Sequence, residues 1–293
     1  MGRRRLASSV RRDVGHLKFG VALGRLNPAF FLEIVDEAER LGFESVWLPE
    51  HLVFPVEMTR SPFAEDEHPP VPPSTPVFDA FAYLSFLAGR TSRLRLATHV
   101  YNLGLRHPFV AARAVQTLDV VSGGRAIFGI GASWLESEWD AVQLDFHTRG
   151  RRVDEAVEVC KRLWTEEVVE HHGEFFDFGK VMFEPKPVQK PYPPVLVGGE
   201  SPGALRRTAK HGDGWVGLDH TPESVAEPIA RLAELRGDGL PLEITVGGEV
   251  RSPEDVSRFE EAGVQRLLVS PWPRSREALD GLRRFADTVP VDE

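Results

Sequence analysis

Short, continuously apolar runs alternate along the chain with longer segments whose apolar residues recur every three to four positions. The runs at residues 18–24, 45–51, 95–101, 126–130, 195–199, 215–218, 243–250 and 266–270 are expected to be strands. Between them, Phe31, Ile34, Val35, Ala38 and Leu41, and later Val153, Ala156, Val157, Cys160 and Leu163, fall on single helical faces. Asn27 with Pro28 marks one helix start and Gly42 its stop. Further helices are expected at 76–89, 108–121, 149–164, 201–211, 222–236, from Ser252 onward, and at 276–288.

Strands that are apolar at consecutive positions are covered on both faces, as in parallel sheets. Strand, helix, strand units of this length imply right-handed crossovers, so the fold class is α/β and the architecture a (β/α)8 TIM barrel. A doubly wound sheet fits less well, because no early strand is followed by a G-x-G-x-x-G turn. The rhythm breaks at residues 171–194, which are Gly- and Pro-punctuated and aromatic. They are expected to form an inserted hairpin between strands four and five. The Pro- and acid-rich segment 52–75 has no period and suits a lid or a disordered excursion. Residues 1–17, with Arg3, Arg4, Arg5, Arg11 and Arg12, are expected to be a disordered extension, and 18–293 a single domain.

The chain is organised around SGGRAIFGIGASWLESEW at 122–139: a Gly-Gly turn, a buried strand, then an acidic exit. Gly129 and Gly131 leave room beside the backbone for a flat ring or for a large neighbouring side chain.

The length of 293 residues suits one barrel with an insertion. The net charge of −9 argues against a general nucleic-acid partner. No run approaches the ~18 apolar residues of a membrane span, and the N-terminus lacks the apolar core of a secretory signal, so a cytoplasmic location is expected. Cys160 stands alone, which leaves no cysteine framework for disulfides or metal, and its helical position suggests a small buried hydrophobe.

In a barrel of this kind chemistry belongs to the residues leaving each strand. These include Glu50 and His51, then Thr98, His99 and Asn102, then Ser133 and Trp134, and finally Gly198, Gly199, Glu200 and Ser201. His51 suits proton transfer near neutral pH with Glu50 orienting it, or a structural hydrogen bond. Gly198 to Ser201 suits a phosphate at a helix start, or an ordinary turn with Ser201 as N-cap. Trp47, Phe54, Trp134 and Tyr101 suggest an apolar wall for a small-molecule substrate. His171 and His172 lie in the polar excursion and are expected to be solvated, with no metal site. Strand one carries no H-x-H, no lysine ends an expected strand, and no G-x-S-x-G occurs, so difficult chemistry would need an organic cofactor.

Five segments together resemble the bacterial-luciferase-like family of flavin- and deazaflavin-dependent oxidoreductases. They are GFESVWLPEH (42–51), LATHV (96–100), HPFVAARAVQTLDVVSGGRAIFGIGASWLESE (107–138), RGRRVDEAVEVCKRLW (149–164) and PPVLVGGESPGALRRTAKHGDGW (193–215). The resemblance implies a barrel with the cofactor ring over the strand ends. It assigns Glu50 to an acidic cofactor contact and His51 to the catalytic histidine of the deazaflavin branch. Val100 and Asn102 fall on the strand-three bulge that backs the ring, where that branch often carries a non-prolyl cis peptide. Ser137 matches a contact to the cofactor chain, and Gly198, Gly199 and Ser201 match the phosphate-side loop. Trp134 stands where the family's sugar-phosphate dehydrogenases carry an acidic catalytic residue, which argues against that substrate class.

Three functions are compatible with these residues. The first is an oxidoreductase exchanging a hydride between coenzyme F420 and an organic substrate. The second is an FMN-dependent monooxygenase using reduced flavin and dioxygen. The third is a barrel that binds a flavin or small ligand without turnover, Trp134 capping its pocket. The resemblance also favours a homodimer built from the early helices.

Overall fold

The structure is a computed structural model, and it describes residues 16–57 and 72–291. In chain order the strands are β1 (Lys18–Ala22), β2 (Ser45–Leu48), β3 (Arg95–Thr98), β4 (Tyr101–Asn102), β5 (Ala126–Gly131), β6 (Val168–His172), β7 (Asp177–Met182), β8 (Val195–Gly198), β9 (Gly214–Asp219), β10 (Glu243–Gly247) and β11 (Arg266–Val269). All pairings outside β6 and β7 are parallel, and they close on themselves. β1 pairs with β11 in the register Val21 to Val269, and β3 pairs with β5 in the register Leu96 to Ala126. β4 continues β3 after a break and lies against Ile130 and Gly131 of β5, so the barrel has eight staves. The expected (β/α)8 architecture is the one observed.

The outer ring comprises α1 (Phe31–Leu41), α2 (Ala80–Ala88), α3 (Pro108–Ser122), α4 (Glu136–Ala141), α5 (Arg149–Thr165), α6 (Pro202–His211), α7 (Ala226–Arg236), α8 (Pro253–Glu261) and α9 (Ala278–Thr288). Local chemistry sets the boundaries. Gly42 ends α1 at φ 90°, a conformation that favours glycine. α2 starts at Ala80, not at residue 76, because the Asp79 carboxylate accepts from the Ala82 amide at 2.8 Å. α7 starts at Ala226 because Thr221 and Ser224 close a turn of their own ahead of it. Leu17 lies inside the fold, buried and bonded through its amide to Glu260 at 2.9 Å. The arginines at 3–12 and most of the Pro-rich excursion, residues 58–71, lie outside the described residues.

The insertion is an antiparallel hairpin, β6 with β7, and α5 holds it through Glu155 and through Arg162, which donates to the Glu170 carbonyl at 3.0 Å. Glu155 accepts from the amides of Phe175 and Phe176 and pairs with His171 Nε2 at 3.0 Å. His171 is therefore mostly buried, against the expectation of a solvated side chain, whereas His172 is exposed between Glu170 and Asp177. Cys160 is buried and unpaired, as expected, and burial pushes its thiol pKa up. No helix among the described residues is long and apolar enough to cross a membrane.

Two apolar layers support the barrel. Between strands and helices lies the large core; inside the barrel Trp47, Ala97, Ile127, Leu196, Val216 and Leu268 stack. Gly20 makes room for Trp47, since a Cβ there would lie 2.7 Å from the indole nitrogen. Beneath this plug sits Arg266, fully buried, with a bidentate bond to Glu44 (2.8 and 2.8 Å), a bond to Glu243, one to Thr245 Oγ1 at 3.1 Å, and its guanidinium over the Trp47 ring.

Removing one member of such a network leaves its partners uncompensated. Arg266→Ala is expected to lower unfolding stability by roughly 3–5 kcal/mol, read from urea denaturation at neutral pH. A second ion network joins the first and last helices. Glu37 bonds Arg40 (2.6 Å) and Arg283 (2.7 Å), and these guanidiniums, Arg40 foremost, hold its carboxyl at about 2 against an ordinary 4.5. A carboxyl lowered on folding stabilises the protein above its unfolded value and loses that contribution as pH falls through its folded value. The stability difference between wild type and Glu37→Gln should therefore be constant above pH 5 and shrink towards pH 2, as measured by denaturation at stepped pH.

Candidate active site

The C-terminal end of β2 delivers Glu50 and His51 into different surroundings. Glu50 is buried, and both its oxygens are engaged: Oε2 accepts from the Asn102 amide at 2.9 Å and Oε1 from Arg106 at 2.5 Å. The Asn102 side chain returns a bond to the Glu50 carbonyl at 3.2 Å. Glu50 thus fastens the exit of β2 to β4, and it is not the residue that orients His51. That position belongs to Glu138. His51 Nδ1 lies 3.0 Å from Glu138 Oε2, while Glu138 Oε1 accepts from the Leu52 amide at 2.6 Å.

Glu138 is fully buried, so its carboxylate needs these donors. A carboxylate accepts, so Nδ1 donates to it, and in the neutral imidazole Nε2 then carries the lone pair. Phe54 and Trp134 flank the imidazole, with ring centroids at 4.6 and 5.8 Å.

Glu138 reaches His51 because of the way β5 ends. Ser133 adopts φ 63°, and its hydroxyl accepts from the Leu135 amide at 3.2 Å, turning the chain into α4. The segment around Glu138 was expected to be a loop; it is a six-residue helix. Ser137 on that helix has a buried hydroxyl with no partner among the described residues.

The peptide between His99 and Val100 is cis, at the break between β3 and β4. Val100 seats its side chain against two glycines: a Cβ on Gly131 would lie 2.5 Å from Val100 Cγ2, and one on Gly198 2.8 Å from Cγ1. Gly129 meets the Thr98 carbonyl in the same way, at 2.0 Å, and Thr98 Oγ1 bonds the Gly129 carbonyl at 2.7 Å. The room beside Gly129 and Gly131 therefore admits a neighbouring strand, not a ring. Asn102 is buried in the Glu50 network.

After β8, Gly199 adopts φ 112° and its amide donates to the Val216 carbonyl at 3.2 Å, while Ser201 caps α6 by accepting from the Ala204 amide. Ser201 is thus the expected N-cap, and it is exposed. Glu200 accepts from the Leu218 amide at 2.7 Å.

Two expected wall residues are elsewhere. Trp47 is fully buried inside the barrel with its indole bonded to Ser45 Oγ at 2.8 Å. Tyr101 is buried between Phe81 and Phe128 under Arg106, and burial pushes its phenol pKa up. Neither forms an open surface.

A cavity of about 670 Å³ opens over the ends of β1, β9, β10 and β11, with His99 in its wall. The His99 ring stands edge-on to Trp47 at 5.9 Å, and burial draws its pKa down to about 4 despite the charge of Asp219. Among the described residues no cluster of three or more His, Cys, Asp or Glu could hold a metal ion.

Glu138 is the functional candidate that sequence reasoning missed. The available signal was an acidic residue in the exit of strand four, but nothing local distinguishes it from Glu136.

Comparison with known proteins supplies the relationship. The family model described as luciferase-like monooxygenase matches residues 16–256. The F420-dependent glucose-6-phosphate dehydrogenase of Kineococcus radiotolerans is 31% identical over 286 residues, covering 91% of this chain and 77% of that one. Among solved structures, the monooxygenase RslO1 from Streptomyces bottropensis superposes with a TM-score of 0.72 at 24% identity, covering 92% of this chain and 98% of that one. An F420-dependent secondary alcohol dehydrogenase in complex with an F420-acetone adduct gives a TM-score of 0.75 at 17% identity, covering 95% and 100%. The closed parallel barrel and the family match along most of the chain lead to one conclusion: this protein belongs to the luciferase-like monooxygenase family, a family of oxidoreductases.

Proposed function

We propose that the protein is an oxidoreductase that uses coenzyme F420, exchanging a hydride with an organic substrate while His51 handles the companion proton. The observation that carries this reading is the His51–Glu138 pair at the strand ends, with Nε2 of His51 left without a partner among the described residues and so able to give or take a proton. The 31% identity to an F420-dependent dehydrogenase over nearly the whole chain supports the choice of cofactor.

The site's own residues suit such a group. The buried, unpartnered hydroxyl of Ser137 is a contact awaiting an acceptor or donor. Val100, fixed between two glycines, offers a rigid apolar backing. The loop of Gly198, Gly199 and Ser201 lies at the N-terminus of α6, where an anionic tail is favoured. When bound, F420 would supply the two-electron hydride chemistry that no side chain here provides.

The protein's part is proton handling and exclusion of water. His51 takes a proton at Nε2 in the oxidising direction and returns it in the reducing one. Glu138 holds the ring in the tautomer that leaves Nε2 basic and balances the imidazolium once it forms. Phe54 and Trp134 close over the imidazole and keep the transfer from leaking to solvent. Trp134 also replaces a second acid, so one histidine carries the proton chemistry.

Two measurements test this. Fluorescence titration of the purified protein with F420 and with FMN should show binding of F420, and His51→Ala should keep that affinity within a few-fold. The same variant should slow oxidation of reduced F420 by small ketones about 10²-fold or more. Tight binding of FMN with none of F420 would overturn the reading in favour of flavin-dependent oxygenation.

The role of Glu138 is tested separately by Glu138→Gln, in which the amide oxygen can keep the Leu52 bond and the NH₂ then faces His51 Nδ1. The ring must then accept at Nδ1 and carry its proton on Nε2. ¹⁵N spectra of the imidazole should show this exchange, and turnover should fall by about 10²-fold, whereas an unchanged tautomer rules out the positioning role.

A further inference from the structure

The cavity over β1, β9, β10 and β11 is lined by many polar side chains, and their bonding is uneven. Its rim carries four ion pairs, Arg25 with Asp219 (2.8 Å), Arg251 with Glu249 (2.5 Å), and Arg258 with both Glu223 and Asp255 (3.6 Å to the latter). Asp255 accepts from the Arg251 amide at 3.0 Å. Ser270 donates to the Ala22 carbonyl at 2.9 Å, and His220 lies between Ser224 Oγ (2.9 Å) and Glu200 (3.3 Å). Thr221 Oγ1 accepts from the Ser224 amide. Among the described residues of this lining, His99 is the polar side chain whose groups have no partner.

Two consequences follow. The guanidiniums are each committed to a carboxylate, and the lining's carboxylates outnumber them, so the cavity does not attract an anion. The lining also includes the apolar Ala22, Gly217 and Leu268, and Trp47 stands edge-on to the His99 imidazole. A neutral imidazole has one donor and one acceptor, and the cavity leaves both open to a ligand.

We infer that this cavity is the substrate compartment, that it takes an uncharged organic molecule bearing a carbonyl or hydroxyl group, and that His99 is the residue that binds that group. The assignment as substrate compartment rests on the oxidoreductase reading above. The chemistry of the compartment is set by its own residues.

The experiment follows the imidazole ¹⁵N and ¹H resonances of His99 in the full chain without cofactor, assigned by comparison with His99→Leu. Cyclohexanone, glucose 6-phosphate and inorganic phosphate are titrated in turn. Cyclohexanone should shift the His99 signals saturably, and neither phosphate species should do so. His99→Leu should weaken cyclohexanone binding about tenfold or more, read from ligand-detected saturation transfer.

His99→Gln keeps a donor and an acceptor and should retain most of the affinity, which covers the case of a leucine variant that folds poorly. Saturable shifts with either phosphate species but none with cyclohexanone overturn the inference, as does unaltered cyclohexanone affinity in His99→Leu. If the protein binds neither F420 nor FMN, the oxidoreductase reading fails, and the His99 titration still decides whether the cavity takes a neutral carbonyl compound.

Discussion

A side chain at position 129, 131 or 198 would have nowhere to go, and the geometry of the barrel mouth depends on that. Thr98 and Val100 press their carbonyl and side chain into the spaces these glycines leave. β3 with its continuation β4 is thereby drawn against β5 and β8 more closely than residues with a Cβ would allow. Once Asn102 is fixed there, its amide lies where Glu50 can accept from it, and the exit of β2 is tied to β4. The same end of β5 turns through Ser133 into α4 and carries Glu138 to His51. Close packing of backbones thus places a histidine and a carboxylate that are 87 residues apart.

Charge is buried at both ends of the barrel, with different chemical results. At the N-terminal end Arg266 has carboxylate and hydroxyl partners, and Glu50 at the other end has a guanidinium and an amide. Groups satisfied in this way are committed to holding strands in register and have little left to offer a ligand. Among the described residues, His51 is held through one nitrogen. Its partner Glu138 also bonds the backbone of Leu52, so the carboxylate positions the loop and the imidazole together and leaves Nε2 for a proton.

Much of the fold was legible in the sequence because burial on both faces writes an unambiguous pattern: eight apolar runs, each followed by a helical period. The ends of elements were less so. α2 and α7 start later than the apolar pattern suggests, since the side-chain cap at Asp79 and the separate turn closed by Thr221 and Ser224 take precedence over periodicity. α4 has only six residues and no apolar stripe to announce it. At the site, the strand-end residues could be enumerated, but their facing could not. Trp47 and Tyr101 both sit near strand exits, yet one fills the barrel and the other faces the helices. The break between β3 and β4 resets the alternation of faces, so counting by twos from Ala97 through His99 misplaces Tyr101. The pairing of His51 with Glu138 was not readable at all, because an adjacent acid, Glu50, offered the simpler partner.

An unpaired polar atom does not by itself mark a binding site. Among the described residues, the indoles of Trp139 and Trp272 and Nε2 of His211 are also buried without partners. Trp139, however, packs with Leu105 and Phe146, in a cluster that supports the loop after β4 from outside the barrel. An indole has a single donor on a large apolar body, so its packing area offsets the lost bond. A serine hydroxyl has almost no apolar area to set against the same loss, and an imidazole has two nitrogens to satisfy. Ser137 is of this second kind, on the helix leaving β5, and His99 stands nearby at the end of β3 with its imidazole in the wall of the mouth. Packing accounts for the tryptophans; for Ser137 it leaves the polar group to be matched by what enters the mouth.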